Sequence, residues 1–146
     1  MPRVLCWNWY NSPVNKTKIN STEFAERVGT YSHGYKVEIG DTLLIFTTGQ
    51  IAIDKDGTVV HPDSAAKQAE FVFESLQKIL NEAGASLDDA VKATIFVTDM
   101  SDFAEISKVR NQYFKNSEPV STLVEVKKLV KDGCKVEIEV MAAKQK

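Results

Sequence analysis

The stretch PVSTLVEVKKLVKDGCKVEIEV, residues Pro119–Val140, decides the fold. It reads as two β-strands joined by a turn at Lys131-Asp132-Gly133, that is, as a hairpin. Val120, Thr122, Val124 and Val126 fall on one face of the first strand; Ser121, Leu123 and Glu125 fall on the other. In the second strand Val136, Ile138 and Val140 alternate with Glu137 and Glu139. Alternation of period two marks a sheet with one face committed to a core. The opposite face mixes Leu with carboxylates. A carboxylate among apolar neighbours must be solvated, paired or put to use.

Upstream, the pattern alternates between strand and helix. Tyr31–Ile39 and Thr42–Ile53 read as a hairpin turning at Gly40-Asp41. Leu43-Leu44-Ile45-Phe46-Thr47-Thr48 is apolar on both faces and reads as a central strand. Gly49, at its end, marks a bulge or a place where something approaches the backbone closely. Asp54–Gly57 is a turn, and Thr58-Val59-Val60 reads as a short strand. Pro62-Asp63 opens a helix capped by Asp63 or Ser64. Its apolar face is Ala65, Ala69, Val72, Leu76, Ile79, Leu80 and Ala83, and Gly84 closes it. Val91–Val97 is the next strand. Asp99 or Ser101 caps a second helix in which Phe103, Ile106, Val109 and Tyr113 share a face, and Pro119 breaks the chain before the last strands.

The order is thus β-β-α-β-α-β-β. Right-handed crossovers place both helices on one side of the sheet. Nothing is left to cover the other side, although it carries apolar residues: Phe46 or Leu44, Phe96 or Ile95, and Leu123. An uncovered half-apolar sheet of this size is an association surface, and it predicts a homo-oligomer with sheet faces meeting around a shared axis. Residues 1–28 read as an extension packing on a single domain of residues 29–146. Within it, Trp7, Trp9 and Tyr10 form an aromatic cluster, and residues 21–27 suggest a short helical turn ending at Gly29.

With 146 residues, 43% hydrophobic and 26% charged, the composition is that of an ordinary globular domain with room for a core. A net charge of −2 provides no bulk attraction to nucleic acid or anionic membrane. No run approaches a membrane span and the start has no signal-peptide stretch, so the expected location is cytoplasmic. Two Asn-x-Thr sequons, at Asn15 and Asn20, are then coincidental. Cys6, Cys134, His33 and His61 make no metal motif, and Cys134 reads as a small buried hydrophobe.

Several motifs in order resemble one family. They are Gly29-Thr30-Tyr31-Ser32-His33, Phe46-Thr47-Thr48-Gly49-Gln50-Ile51, Ala83–Asp89 with Val91–Phe103, Val124-Glu125-Val126 and Val136–Glu139. The ordered set, spanning about residues 29–142, resembles the Rid family (RidA/YjgF, the L-PSP endoribonuclease-like proteins). The resemblance implies a chorismate-mutase-like α/β fold and a homotrimer with a central β-barrel and ligand clefts between subunits. It also implies cofactor-independent hydrolysis of enamine and imine acids, such as 2-aminoacrylate and 2-iminopropanoate, to 2-oxo acids and ammonia. Such imines arise from pyridoxal-phosphate enzymes acting on serine or threonine.

That chemistry needs a clamp for a small carboxylate, for which a bidentate Arg is the natural choice, and a group that orients water and relays a proton. By resemblance, Glu137 matches the family's water-orienting Glu, Tyr31 the cleft Tyr and Gly49 the backbone lining the cleft. Ser107 stands where an Asn is common. The family's Arg lies in a Pro-x-Arg-Ser pattern, and this chain reads Pro119-Val120-Ser121-Thr122, with Ser121 in the Arg position. Arg110, three residues after Ser107 and on nearly the same helix face, is a candidate replacement charge beside an ordinary surface role. His33 reads first as a surface histidine and second as a cleft residue. Lys127, Lys128, Lys131 and Lys135 read as a solvated turn. Three functions stay open: a deaminase with changed substrate, a small-molecule-binding trimer without that activity and, ranked last, an endoribonuclease or translation inhibitor. No metal or cofactor is implied, and the partners are a second copy of the chain and a small ligand.

Overall fold

The computed structural model describes residues 13–146; the Trp7, Trp9 and Tyr10 cluster lies outside the described residues. The strands are β1 (Val14–Ile19), β2 (Gly34–Ile39), β3 (Thr42–Thr47), β4 (Gln50–Ile51), β5 (Ala90–Val97), β6 (Val120–Glu125) and β7 (Val136–Gln145). The helices are α1 (Ala65–Glu82) and α2 (Phe103–Tyr113). The strands form one mixed sheet in the order β1-β2-β3-β7-β5-β6, with β4 also on β7. All neighbours are antiparallel except β5 and β6, which run parallel.

The two terminal strands are therefore not a hairpin. β5 lies between them, joined to β6 in parallel and to β7 antiparallel. A parallel neighbour needs a crossover, which α2 supplies. Residues 126–135 then form a loop that carries the chain past β5 to β7. Two smaller expectations also fail. Residues 21–27 make turns and bends rather than a helical turn, and Thr58-Val59-Val60 contributes only an isolated bridge from Val59 to Ile53.

Helix α1 forms as its sequence requires. Ser64, in extended backbone, accepts the amide of Lys67, and Gly84 takes the positive φ of 81° that ends the helix. Its face of Val72, Phe73, Leu76, Ile79 and Leu80 is fully buried against the sheet. Burying each such large side chain contributes roughly 1.5–3 kcal/mol. The ring of Phe73 stacks on Tyr113 at 4.8 Å, fastening α2 to α1 on the same side.

On the sheet, Ile45, Ile95, Val97, Val136, Ile138 and Val140 point to the helices. The other side carries cross-strand rows: Tyr35, Phe46 and Met141; Val37, Leu44 and Ala143; Val124, Phe96 and Glu137. Phe46 and Met141 are each 37% exposed there. The uncovered apolar face exists, built from Leu44, Phe46 and Phe96. Leu123 is not part of it. It pairs with Ile95 and packs on the helix-side core.

Candidate functional site

The site begins with a defect in the sheet. β3 pairs with β7 as far as Phe46 opposite Met141, and β4 resumes with Gln50 opposite Ile138. Three residues on one strand thus face two on the other, a β-bulge. Thr47 makes it possible: its Oγ1 accepts the Val140 amide at 2.9 Å and contacts the Val140 carbonyl at 3.3 Å. The side chain supplies partners that the bulged backbone cannot. The bulge turns the backbone of Gly49 toward the uncovered face.

There Gly49 meets Glu137. A Cβ at position 49 would lie 2.0 Å from Glu137 Oε1 and 2.9 Å from its Cδ. Gly49 is therefore required by close approach, not by a positive φ. The carboxyl of Glu137 lies against bare backbone, half-buried, and has no hydrogen bond from a described residue. Burial first, and the Glu139 carboxylate second, push its pKa above the ordinary 4.5. A carboxyl held this way can give and take a proton nearer neutrality.

Glu137 and Gly49 line a cleft of about 540 Å³ together with Tyr31, Phe24, His33, Thr48, Val130 and Lys131. Its walls are two loops. One is residues 24–31, where the Arg27 guanidinium donates to the Tyr31 carbonyl. The other runs from β6 to β7 and is tied down by Gln68. This fully buried side chain donates to the Gly133 carbonyl at 2.9 Å and accepts the Lys135 amide at 2.7 Å.

His33 is not a surface residue. It is only 6% exposed and lines the cleft. Its Nδ1 accepts the Ser21 amide at 3.2 Å, and its ring lies 5.0 Å from that of Phe24. Burial, then the charge of Arg27, pulls its pKa below the ordinary value, which favours the neutral ring. The fold-back of residues 20–24 that buries it has no signal in hydrophobic periodicity.

Of the residues singled out from sequence, Tyr31, Gly49 and Glu137 come together in one cleft. Ser121 and Arg110 line a different one, of about 330 Å³, with Phe114, Lys115 and Pro119. Arg110 there bonds to the Asn111 side-chain oxygen through Nε and Nη2. Ser107 is buried on α2, and its hydroxyl has no partner among the described residues. Within one chain the two sets stay apart. Cys134 is buried and free, as a small hydrophobe should be.

A mixed sheet with two helices on one face, a bulge at its centre and a half-buried carboxyl against glycine backbone defines a small α+β protein with a ligand cleft. Residues 22–144 match the Endoribonuclease L-PSP family model, and the chain belongs to this family, the Rid proteins. It is 40% identical to a RutC family protein of Pyrococcus abyssi over 118 residues, 81% of this chain and 89% of that one. The mouse protein named 2-iminobutanoate/2-iminopropanoate deaminase is 28% identical over 131 residues, 90% of this chain and 93% of its own. The crystal structure of Escherichia coli TdcF with bound serine superimposes with a TM-score of 0.75 at 33% identity, covering 88% of this chain and 99% of TdcF. Among the described residues no helix is long and apolar enough to cross a membrane.

Proposed function

We propose that this protein hydrolyses small imine or enamine acids to 2-oxo acids and ammonia, without a cofactor, and that 2-iminopropanoate is a poor substrate. The observation that carries the reading is the Glu137 carboxyl held against Gly49, half-buried and with its pKa raised. In the reaction, an enamine first tautomerises to its imine; water then adds to the carbon of the protonated C=N bond and gives up a proton to the carboxylate. The carboxylic acid protonates the nitrogen of the resulting carbinolamine, and ammonia leaves as the hydroxyl returns its proton to the carboxylate and the carbonyl forms. Acid and base are one group, which suits a carboxyl whose pKa is raised above the ordinary carboxylate value. The mouse relative bears the name of this activity, and TdcF was crystallised with an amino acid.

The weak point is Ser121, which stands where the family's clamping Arg is expected. Each charge-assisted hydrogen bond lost costs about 1.5–3 kcal/mol. A loosely held substrate also forfeits orientation. In this reading the uncovered face of Leu44, Phe46, Phe96 and Met141 joins copies into a trimer. The Ser107, Arg110 and Ser121 cleft of one copy then approaches the Glu137 cleft of another. The second reading, a trimer that binds a small metabolite without turnover, is favoured by the same Ser121.

A coupled assay separates them. A serine or threonine dehydratase generates the imine and its disappearance is timed. Slow but measurable turnover is expected in the wild type, rising at least tenfold in Ser121→Arg. Turnover equal to that of TdcF, run alongside, overturns the role given to Ser121. No turnover in either form overturns the deaminase reading.

A further inference from the structure

We propose that Lys131 is the carboxylate-binding residue of the Glu137 cleft, a specificity-determining cation contributed by the same chain as the acid–base group. The inference rests on the reading of this cleft as a site for small imino or oxo acids. The side chains that line the cleft include two carboxyl groups, Glu26 and Glu137, the ammonium of Lys131, and the imidazole of His33, whose neutral form burial favours. Lys131 is the one cation among them. Arg27, the nearest arginine in sequence to this wall, is already engaged on the Tyr31 carbonyl. Arg110, the replacement suggested by its spacing from Ser107, lies in the other cleft of the same chain, and its guanidinium is engaged there on the Asn111 side-chain oxygen.

Lys131 is also free to act. It makes no ion pair among the described residues, whereas Lys55, Lys144 and Lys146 each do. Lys131 and Glu137 share a cleft without pairing with each other. The cleft thus offers an ammonium for the anionic end of a ligand and a carboxyl for its nitrogen or carbonyl end. The lysine is on a loop, but that loop is held. The Lys131 carbonyl accepts the Cys134 amide at 3.2 Å, and Gln68 anchors Gly133 and Lys135 just beyond. A lysine is a compact point charge without the fork geometry of Arg. The clamp it makes holds the charge of the substrate but not its orientation, so turnover is expected at a reduced level.

The probes are pyruvate, the oxo-acid product, and pyruvamide, its neutral amide, titrated by calorimetry or by NMR into the intact protein. The wild type is expected to prefer pyruvate by tenfold or more. Lys131→Met should lose most of that preference, with Kd for pyruvate raised about tenfold and pyruvamide unchanged. Lys131→Arg should keep it, and Arg110→Met should leave it as it was. Lys131 is exposed, so these variants are expected to fold, and unchanged melting confirms it. If Lys131→Met keeps the full preference while the wild type turns over imine, the inference fails and the deaminase reading stands. If Arg110→Met removes the preference instead, the clamp is Arg110 and the inference fails. If the wild type neither binds pyruvate nor turns over imine, both fall.

Discussion

Placing a single methyl group at position 49 tests the central geometry. In Gly49→Ala the new Cβ would sit 2.0 Å from Glu137 Oε1, where real Cβ atoms essentially never approach closer than 3.0 Å. The oxygen must retreat by at least about 1 Å, the difference between those two distances. Gly49 is not among the residues of positive φ, so alanine is compatible with the backbone. The side chain of Glu137 is what moves. An off-rotamer carboxylate costs roughly 0.5–1.5 kcal/mol. The stiffer unfolded chain returns about 0.4–1 kcal/mol. The net change is within about 1 kcal/mol, or about 4 °C in Tm. Catalysis responds differently, because a 1 Å misplacement can cost on the order of a hundredfold. The assay is imine hydrolysis in the Ser121→Arg background, where turnover is expected to be highest, with Tm measured on the same samples. Glu137, pushed toward water, should also titrate nearer the ordinary 4.5 by NMR. Full turnover in Gly49→Ala refutes the claim that the carboxyl works where it lies. A loss of more than about 3 kcal/mol refutes the claim that the side chain, not the bulge, gives way.

Two further outcomes follow from the walls of the cleft. Gln68→Ala removes both bonds that hold the 126–135 loop and leaves the Gly133 carbonyl and Lys135 amide without them. A loss of about 2–4 kcal/mol is expected in urea melts, and a loss under about 1 kcal/mol would show that water replaces the side chain. His33 gives a pH dependence. Its folded pKa lies below the ordinary 6.5, so the unfolded chain binds the proton more readily. Its contribution is complete above about pH 6.5, is lost as pH falls from there, and levels off below the folded value. The loss is on the order of 1 kcal/mol, the worth of the Ser21 hydrogen bond that a protonated Nδ1 cannot accept. Comparing urea midpoints at pH 7.5 and pH 5.5 for wild type and His33→Asn checks it. Equal slopes in the two proteins would remove His33 as the cause.

Much of the fold was legible because it depends on local pattern. The α1 face, the Ser64 cap and the Gly84 stop are all written in residue spacing, and the structure keeps them. Strand alternation likewise identified β6 and β7 as strands. It could not say which strands are neighbours, since Val136, Ile138 and Val140 fit beside β5 as well as beside β6. Leu123 was misplaced for the same reason. Its face depends on its register with Ile95, which is not visible in a single strand. At the site, Gly49 carried a signal of its own: a glycine ending an otherwise apolar strand requires either a bulge or a close approach, and here it serves both. His33 carried none. Its burial comes from a polar segment, Asn20–Phe24, folding back on it through backbone and ring contacts rather than through hydrophobic spacing.

Strand β7 shows why the site and the uncovered face belong together. Its even-numbered residues, Val136 to Ala142, fill the core, so its odd-numbered ones must project from the other side. Met141 suits an apolar contact there, next to Phe46. Glu137 and Glu139 do not, and burial together with the Glu139 carboxylate makes the ionisation of Glu137 less favourable. Two neighbouring carboxylates on an apolar face weaken any association that buries them without a partner. A surface selected only for contact between copies has no use for them. Gly49 makes the case sharper, because an ordinary residue there would drive Glu137 out to solvent and relieve its burial. The chain instead keeps the residue without a side chain, and with it a carboxyl whose pKa is raised. That combination is costly for packing and useful for moving a proton, so chemistry explains this part of the sheet better than association alone does.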